Sequence, residues 1–183
     1  MRTIFTPGRL VFGGLGLIFS LIFFALLEVV AAAAPTDTEL PPNFSLPVGH
    51  HPLFATPASG DNVYQCVATA NGYAWRLGGV YAKLLDSDGR PFATQNDVGS
   101  FLAIDGSAIS GRVVKTIDAG AENGDVLYAV ASSTSGMFSQ ITEVVRYHVV
   151  GGQPPAQACD QSALHQTERV PFKADYIFFE PES

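Results

Sequence analysis

Short β-rich runs that alternate with glycine turn dipeptides are the feature that most constrains the fold of this chain. The turn dipeptides include Asn71-Gly72, Asp88-Gly89, Asp105-Gly106 and Asn123-Gly124. Such dipeptides supply the positive φ angles that tight hairpins require. The runs between them are rich in β-branched and aromatic residues, and no stretch after the first thirty residues keeps a helical period. The pattern predicts an all-β fold, a single antiparallel sandwich or barrel-like domain after an N-terminal signal segment.

The strand predictions follow the same pattern. We expect strands over residues 63–69, 73–77, 80–85, 109–117, 126–132, 140–150 and 173–179. In the run 140–150, alternation places Ile141, Val145, Tyr147 and Val149 on one face and Thr142, Val144, Arg146 and His148 on the other. Glu143 falls on the first, more apolar face, where a carboxylate needs a partner.

The first 33 residues have the order of a signal peptide. Arg2 and Arg9 precede an apolar run over residues 10–27, and a run of small residues, Ala31 to Ala34, follows. We predict cleavage after Ala33, with cleavage after Ala32 or Ala34 as alternatives. The alternative is an uncleaved anchor, since the apolar run is near the lower limit of a membrane span. In both cases the basic start directs the rest of the chain across the membrane, so we expect a secreted or extracellular protein, with a periplasmic or cell-surface location as variants.

Residues 34–60 form a proline-rich stretch. Proline lacks an amide donor and fixes φ, so we predict an extended lead-in that is neither a central strand nor a helix. The β domain is then assigned to residues 61–183. Asn43-Phe44-Ser45 is a glycosylation sequon that matters if the host is eukaryotic.

Charge and cysteine content limit the partners and the compartment. The formal net charge is −7, and the ten basic residues are scattered singly, which argues against nucleic-acid binding and against membrane contact other than through the leader. The chain has two cysteines, Cys66 and Cys159. In an exported protein such a pair predicts one disulfide, with two buried free thiols as the alternative.

Motifs for metals and cofactors are weak. His50 and His51 are adjacent, and neighbours on an extended chain point to opposite sides, so we predict no metal site. The glycines around Gly14-Leu15-Gly16 lie in the leader and not between a strand and a helix, so we predict no dinucleotide cofactor and no NAD-dependent dehydrogenase.

Several segments together resemble a family of secreted bacterial, fungal and plant proteins, the domain of unknown function 3455. They are Val63-Tyr64-Gln65-Cys66, Trp75, Asp105-Gly106-Ser107, Gly151-Gly152-x-Pro154-Pro155 ahead of Cys159-Asp160, and Val170-Pro171-Phe172-x-Ala174-Asp175-Tyr176. Family members often show His and Trp between the Asp-Gly turns, where this chain has Asn96 to Phe101. The resemblance implies secretion and no established activity. The malate dehydrogenase label carried by some fungal members has no support in these residues.

Two functions follow as expectations. The first is a non-catalytic exported domain that binds a ligand or a cell-surface component, because no catalytic triad or metal set is visible and aromatics such as Tyr64, Tyr73, Trp75 and Tyr81 cluster near two predicted hairpins. The alternative is a secreted hydrolase with a carboxylate-based site at Glu143 or Asp175, since strand-borne carboxylates that face a core can act as acids or bases.

Overall fold

The described part of the chain, residue 45 and residues 48–182 of a computed structural model, is a closed antiparallel barrel. Eight strands follow one another around the ring in chain order, and β1 pairs with β8 to close it. The strands are β1 (His50–Thr69), β2 (Gly72–Leu85), β3 (Pro91–Asp97), β4 (Ser100–Ala103), β5 (Ala108–Ile117), β6 (Val126–Thr134), β7 (Glu143–Gly151) and β8 (Thr167–Pro181). This confirms the predicted all-β class and selects the barrel over the sandwich.

Helical structure is slight in this part of the chain. A single 3-10 turn, Gly136–Phe138, connects β6 to β7. Within the described range, no helix has the length and apolar character needed to cross a membrane. The predicted leader over residues 1–33 and the sequon at Asn43 lie outside the described residues.

The predicted turn dipeptides do connect strands. Gly89, between β2 and β3, has φ +76°, and Gly106, between β4 and β5, has φ +87°. The Asp86 carboxylate accepts the backbone amides of Asp88 at 2.9 Å and Arg90 at 2.8 Å, which holds the first of these turns. Asp and Gly therefore have the turn-forming roles here that the sequence pattern predicts.

The predicted extended lead-in over residues 34–60, followed by a β domain from residue 61, is wrong from His50 onward, because β1 begins there and contains Pro52 and Pro57. The register with β8 shifts between Pro52 and Phe54, so the first proline sits beside a bulge. β1 meets β2 only from Ala58 onward, so Pro57 lies where β1 has β8 as its one paired neighbour. A missing amide is tolerated at such edge-like and bulged positions.

Three further strands differ from the prediction. β3 and β4 were not expected, because they are short and surround the polar turn that contains Gly99. The predicted strands 73–77 and 80–85 form one continuous strand, β2, in which the pairing with β1 shifts at Gly78. A glycine pair can therefore mark a bulge inside a strand as well as a turn between strands.

Aromatic rings fill one region of the barrel interior. We call Phe54, Phe101, Phe138 and Phe178 the aromatic cluster. The ring centroid of Phe178 lies 4.5 Å from Phe54, 5.5 Å from Phe101 and 5.8 Å from Phe138. Phe138 and Phe178 are fully buried. Stacked and edge-to-face contacts of this kind add to the free energy of simple burial.

The faces of β7 differ from those that strict alternation predicts. Val144 faces the interior core, whereas Val145 and Tyr147 belong to a second buried cluster with Ile177 and Phe179 on the other face. A register shift between Tyr147 and Val150, where His148 has φ +48°, returns Val149 to the interior. The bulge thus separates Val149 from the face on which it was predicted.

Candidate functional site

The predicted disulfide is present and anchors one end of the barrel. Cys66 on β1 and Cys159 in the loop before β8 are bonded, with Cα atoms 5.5 Å apart. The same loop is held by the Trp75 indole, which donates to the Gln157 carbonyl at 2.9 Å. These contacts place the 152–166 loop against the β1–β2 hairpin.

A polar group lies inside the barrel towards this end. We call Asn62, Tyr64, Gln95, Arg146 and Tyr176 the arginine chamber, and each of these side chains is buried. The Arg146 side chain is 1% exposed. Its Nη1 donates to Asn62 Oδ1 at 2.8 Å, and its Nη2 donates to the Asp125 carbonyl at 2.7 Å. The guanidinium carbon lies 4.8 Å from the centroid of the Phe172 ring.

Close backbone approach positions Asn62 in this chamber. Its Nδ2 donates to the Gly152 carbonyl at 2.6 Å, which also accepts the Tyr64 hydroxyl at 2.7 Å. A Cβ added to Gly124 or Gly152 would lie 2.8 or 2.9 Å from Asn62 Nδ2. Glycine at both positions therefore lets the two loops reach the amide that orients Arg146.

The positive charge of Arg146 has no carboxylate partner in the chamber. None of the ion pairs within the described residues involves Arg146. Burial raises the pKa of Tyr176 to about 12, although Arg146 opposes the shift, and burial also raises the pKa of Tyr64. Both phenols are therefore neutral near pH 7 and cannot balance the guanidinium. Asp125 is an exposed residue, although its carboxyl group is partly shielded from solvent. This desolvation, and then the charge of Asp118, raise the pKa of Asp125, whereas the charge of Arg146 lowers it.

A small cavity adjoins the guanidinium. Arg146 Nε is buried and has no hydrogen-bond partner within the described structure. The centre of a water-sized particle can occupy a volume of about 10 Å³ in this cavity, so the cavity has room for one such particle. Its lining residues are Gln95, Gly99, Phe101, Val113, Leu127, Ala129, Val144, Arg146 and Tyr176. The Tyr176 hydroxyl donates to Gln95 Oε1 at 2.5 Å, which orients the amide at the cavity wall.

A much larger opening lies on the outside of the barrel. Ala82 and Gln95 form the last pair between β2 and β3 before the two strands separate. The resulting outer cleft has a volume of about 450 Å³. It is lined by Ser59, Gly60, Asp61, Tyr81, Ala82, Lys83, Thr94, Gln95, Asn96 and Arg169. Gln95 thus borders both the outer cleft and the inner cavity.

Charged groups in the outer cleft are partly fixed. Arg169 donates from Nε and Nη2 to Asp61 Oδ2, at 3.2 and 3.0 Å, and its guanidinium carbon lies 5.4 Å from the centroid of the Tyr81 ring. Lys83 makes no ion pair within the described range. Two cations and one carboxylate therefore line the cleft of a chain whose net charge is −7.

The carboxylates proposed from the sequence lie outside this cleft. Glu143 is 8% exposed, accepts the Tyr128 hydroxyl at 3.1 Å and has His50 Nε2 at 3.6 Å. Burial and the Glu143 charge raise the pKa of Tyr128 to about 12. Asp175 instead meets His148 at 3.0 Å. In the β7–β8 ladder the two carboxylates are separated by four residues, so the structure does not bring them together.

The histidines and aromatics singled out in the sequence are also dispersed. His50 lies near Glu143, whereas His51 contacts Glu180 at 2.9 Å. Across the residues that the structure describes, no group of three or more His, Cys, Asp or Glu side chains is arranged to hold a metal. Tyr73 bonds Gln161 beside the disulfide loop, while Tyr81 lies in the outer cleft.

Sequence reasoning missed the polar groups that the fold assembles. Arg146 was placed on a strand face but given no role, and Asn62, Lys83 and Arg169 were not considered. The one local signal was a charged residue directly after Val144 and Val145 in an otherwise apolar part of a predicted strand. Its partners lie far away in the sequence, with Asn62 separated from Arg146 by 84 positions.

Comparison with known proteins identifies a family without a known activity. Residues 89–180 match the model of the family described as "Protein of unknown function (DUF3455)". No curated protein and no solved structure matches the chain significantly. The matched region contains Gln95, Arg146 and Tyr176, whereas Asn62 and Asp61 precede it. Because the match covers half of the sequence, the chain belongs to this DUF3455 family of proteins of unknown function.

Proposed function

We propose that this domain is an exported, non-catalytic binding protein that holds an acidic, hydroxyl-rich ligand in the outer cleft. A carboxylated saccharide of a cell surface has this chemistry. The supporting observation is the outer cleft itself, about 450 Å³ in volume and lined by two cations and several hydrogen-bonding side chains. Sites for small molecules are commonly 300–1,000 Å³ and carry a few well-placed polar groups.

Charge supports an anionic ligand. The chain is acidic overall, yet Lys83 and Arg169 both line the cleft, against Asp61 as its one carboxylate. Asp61 already binds Arg169 through two nitrogens, so Lys83 is left as an unpaired cation within the described residues. A local positive site on an acidic surface selects an anion and rejects a neutral analogue.

The stack of Asp61, Arg169 and Tyr81 supports a preformed site. The carboxylate fixes one edge of the Arg169 guanidinium, and the ring of Tyr81 lies beneath it. A guanidinium held in this way loses little rotamer freedom when it binds a second carboxylate. Ser59, Thr94 and Asn96 supply hydroxyl and amide groups for the remainder of the ligand.

The limited space inside the barrel also supports a ligand site in the outer cleft. The aromatic cluster occupies part of the interior, and the cavity beside Arg146 accepts one water-sized particle. Small eight-stranded barrels either fill with side chains or enclose one small ligand. The cavity beside Arg146 is too small for a saccharide unit, whereas the volume of the outer cleft is large enough for one.

Calorimetric titration of the secreted protein tests the proposal. Oligomers of galacturonic acid are compared with neutral galactose oligomers of the same length. We expect heat of binding for the acidic series alone, and at least a tenfold weaker affinity for Lys83→Gln or Arg169→Gln. Lys115→Gln removes an exposed cation of β5, outside the cleft, and is the matched control. Equal affinity for the neutral series, or no binding by either series, would contradict the proposal.

The second candidate is a secreted hydrolase centred on Glu143. The observation that favours it is the group of Glu143, Tyr128 and His50, in which a mostly buried carboxylate meets a phenol and an imidazole. Glu143→Gln should abolish any turnover of the same oligomers while leaving their calorimetric affinity unchanged. Loss of affinity without loss of turnover would exclude this role for Glu143.

The compartment remains part of the proposal. A Cys66–Cys159 disulfide is compatible with an extracellular protein, since such bonds persist in oxidising surroundings. Amino-terminal sequencing of exported protein tests the predicted start at Ala34. A chain that retains Met1 in the membrane fraction would establish the anchored form instead.

A further inference from the structure

We propose that the cavity beside Arg146 binds one small monovalent anion, about the size of a halide ion, inside the barrel. The site is distinct from the outer cleft and does not depend on its function. Three observations carry the proposal: a buried cation without a carboxylate, an unpartnered N–H on that cation, and an adjoining cavity of one-particle size.

The charge of Arg146 is the first step. A guanidinium keeps its proton at any pH at which proteins fold, so burial cannot neutralise it. Nη1 donates to the side-chain amide oxygen of Asn62 and Nη2 to the backbone carbonyl of Asp125, and neither oxygen is charged. The aromatic face of Phe172 adds a weaker attraction. Buried charges are ordinarily paired, because an uncompensated one loses much of its solvation. An anion in the cavity would supply the missing charge.

The donors around the cavity are the second step. Arg146 Nε is the one nitrogen of this guanidinium left without a partner. Gln95 accepts the Tyr176 hydroxyl at Oε1, so the Nε2 end of the amide is the end that donates. Both residues line the cavity. The Arg146 Nε–H is a charged donor, and such a donor suits an anion, which accepts hydrogen bonds and donates none.

The third step concerns the remaining wall, which is apolar apart from Tyr176, whose hydroxyl is already engaged with Gln95. Phe101, Val113, Leu127, Ala129 and Val144 line it, and this low-dielectric wall strengthens attraction between Arg146 and an anion. Gly99 belongs to the β3–β4 turn, and a Cβ there would lie 3.0 Å from the Gly111 carbonyl. The turn therefore packs directly on β5 beside the cavity.

A single water molecule is the competing occupant. Water would satisfy the Arg146 Nε–H, and the space is sufficient for it. Water carries no charge, however, and would leave the guanidinium without an anion in contact with it. The carboxylate of the exposed residue Asp125 is attracted to Arg146 but forms no ion pair with it. The two occupants differ in a measurable way, because only the anion makes the stability of the protein depend on which salt is present.

Crystallography with bromide tests the site directly. Crystals of the secreted protein are soaked in sodium bromide, and anomalous differences are recorded at the bromine absorption edge. We expect a peak within hydrogen-bond distance of Arg146 Nε. A water with no anomalous signal at this position would overturn the proposal.

Melting in different salts tests it in solution. At equal ionic strength, bromide or chloride should raise the melting temperature relative to methanesulfonate, which is too large for the cavity. The expected rise is about 5 to 10 °C at a hundredfold excess over the dissociation constant. The same melting temperature in all three salts would overturn the proposal.

A cavity-filling variant separates binding from general salt effects. Ala129→Val adds two methyl groups to a residue of the cavity wall, and it should abolish both the bromide peak and the salt-specific rise. Ala93→Val adds the same volume to a buried alanine that does not line the cavity, and it should retain both. Loss of the salt effect in both variants, or its retention in both, would count against a site at Arg146.

Discussion

The aromatic cluster and the arginine chamber both lie inside the barrel, but different interactions hold them together. In the aromatic cluster, Phe178 contacts three other rings and has no polar atom to satisfy. In the arginine chamber, Arg146 and Asn62 depend on oxygens of loops that end near Asp125 and Gly152. Phe101 touches both regions, since its ring also meets Tyr176 at 5.7 Å.

The comparison teaches how one barrel can separate stability from recognition. Burial of aromatic surface is non-directional and tolerates exchange of one apolar residue for another. A buried polar network requires particular partners at particular distances, and one unmet group is costly. We therefore expect the aromatic cluster to contribute most of the stability that comes from side-chain packing, while the polar groups contribute specificity. The predictions below test this division, beginning with the largest effect.

Reduction of the Cys66–Cys159 disulfide should have the largest effect, because this bond ties down the loop beside the polar end. It closes a loop of 93 positions, and in the chain-entropy model its loss lowers the free energy of unfolding by about 4 to 5 kcal/mol. Thermal unfolding of reduced and alkylated protein measures this change. A double Cys66→Ala, Cys159→Ala variant is the control, and an unchanged melting temperature in both would show that the loop is held by its other contacts.

Truncation of Phe178 should have the next largest effect. Phe178→Ala removes a fully buried ring with three aromatic neighbours, so we expect a loss of about 3 to 5 kcal/mol in urea unfolding. Phe178→Leu retains apolar volume and should cost less than about 1.5 kcal/mol. If both variants lost the same amount, ring geometry and not burial would dominate the aromatic cluster.

Alkaline pH should act on the polar end. The pKa of Tyr176 is raised from 10.0 to about 12 in the folded chain, chiefly by burial. Its stabilising contribution is therefore complete below pH 10 and is lost as the pH rises towards 12, at about 1.4 kcal/mol per pH unit. Tyr128, also raised to about 12, adds to the same fall. Melting temperature against pH, with ultraviolet titration of the phenols, measures it.

Tyr176→Phe supplies the control for the alkaline experiment. The variant removes the ionising group and the hydrogen bond to Gln95, so its stability should fall less steeply between pH 10 and 12. An identical slope in the variant and the unmodified chain would show that Tyr176 does not titrate in this range.

The exposed pair in the outer cleft should have the smallest effect on stability. Asp61→Asn removes the carboxylate that holds Arg169, and pairs this exposed contribute less than about 1 kcal/mol. Affinity for acidic oligomers should nevertheless change, because the guanidinium loses its fixed orientation. A loss of stability comparable with that of Phe178→Ala would refute the division between stability and recognition.

Local patterns predicted much of the barrel. The glycine turn dipeptides and β-rich runs located β5, β6, β7 and β8 approximately. The errors have physical causes. β1 continues through its two prolines because one lies at a bulge and the other where β1 is paired on one side only. β3 and β4 are stabilised by pairing with neighbouring strands more than by their own composition.

The candidate sites were far less predictable. The disulfide followed from two cysteines in a chain expected to be exported. The outer cleft arises only where β3 leaves β2, and it joins Asp61 to Arg169 across 108 positions. The arginine chamber likewise depends on glycines at which two loops approach Asn62.

The sequence by itself determined the class of the protein. Alternating apolar residues, Asp-Gly and Asn-Gly turns and a cysteine pair specify an all-β, disulfide-bonded chain, because these signals act between residues close in sequence or by simple count. Only the tertiary structure decided that β1 and β8 close a ring, that Arg146 is buried without a carboxylate and that two cations share the outer cleft. These features depend on pairing between distant segments, and the register of such pairing is set by the packing of the whole barrel.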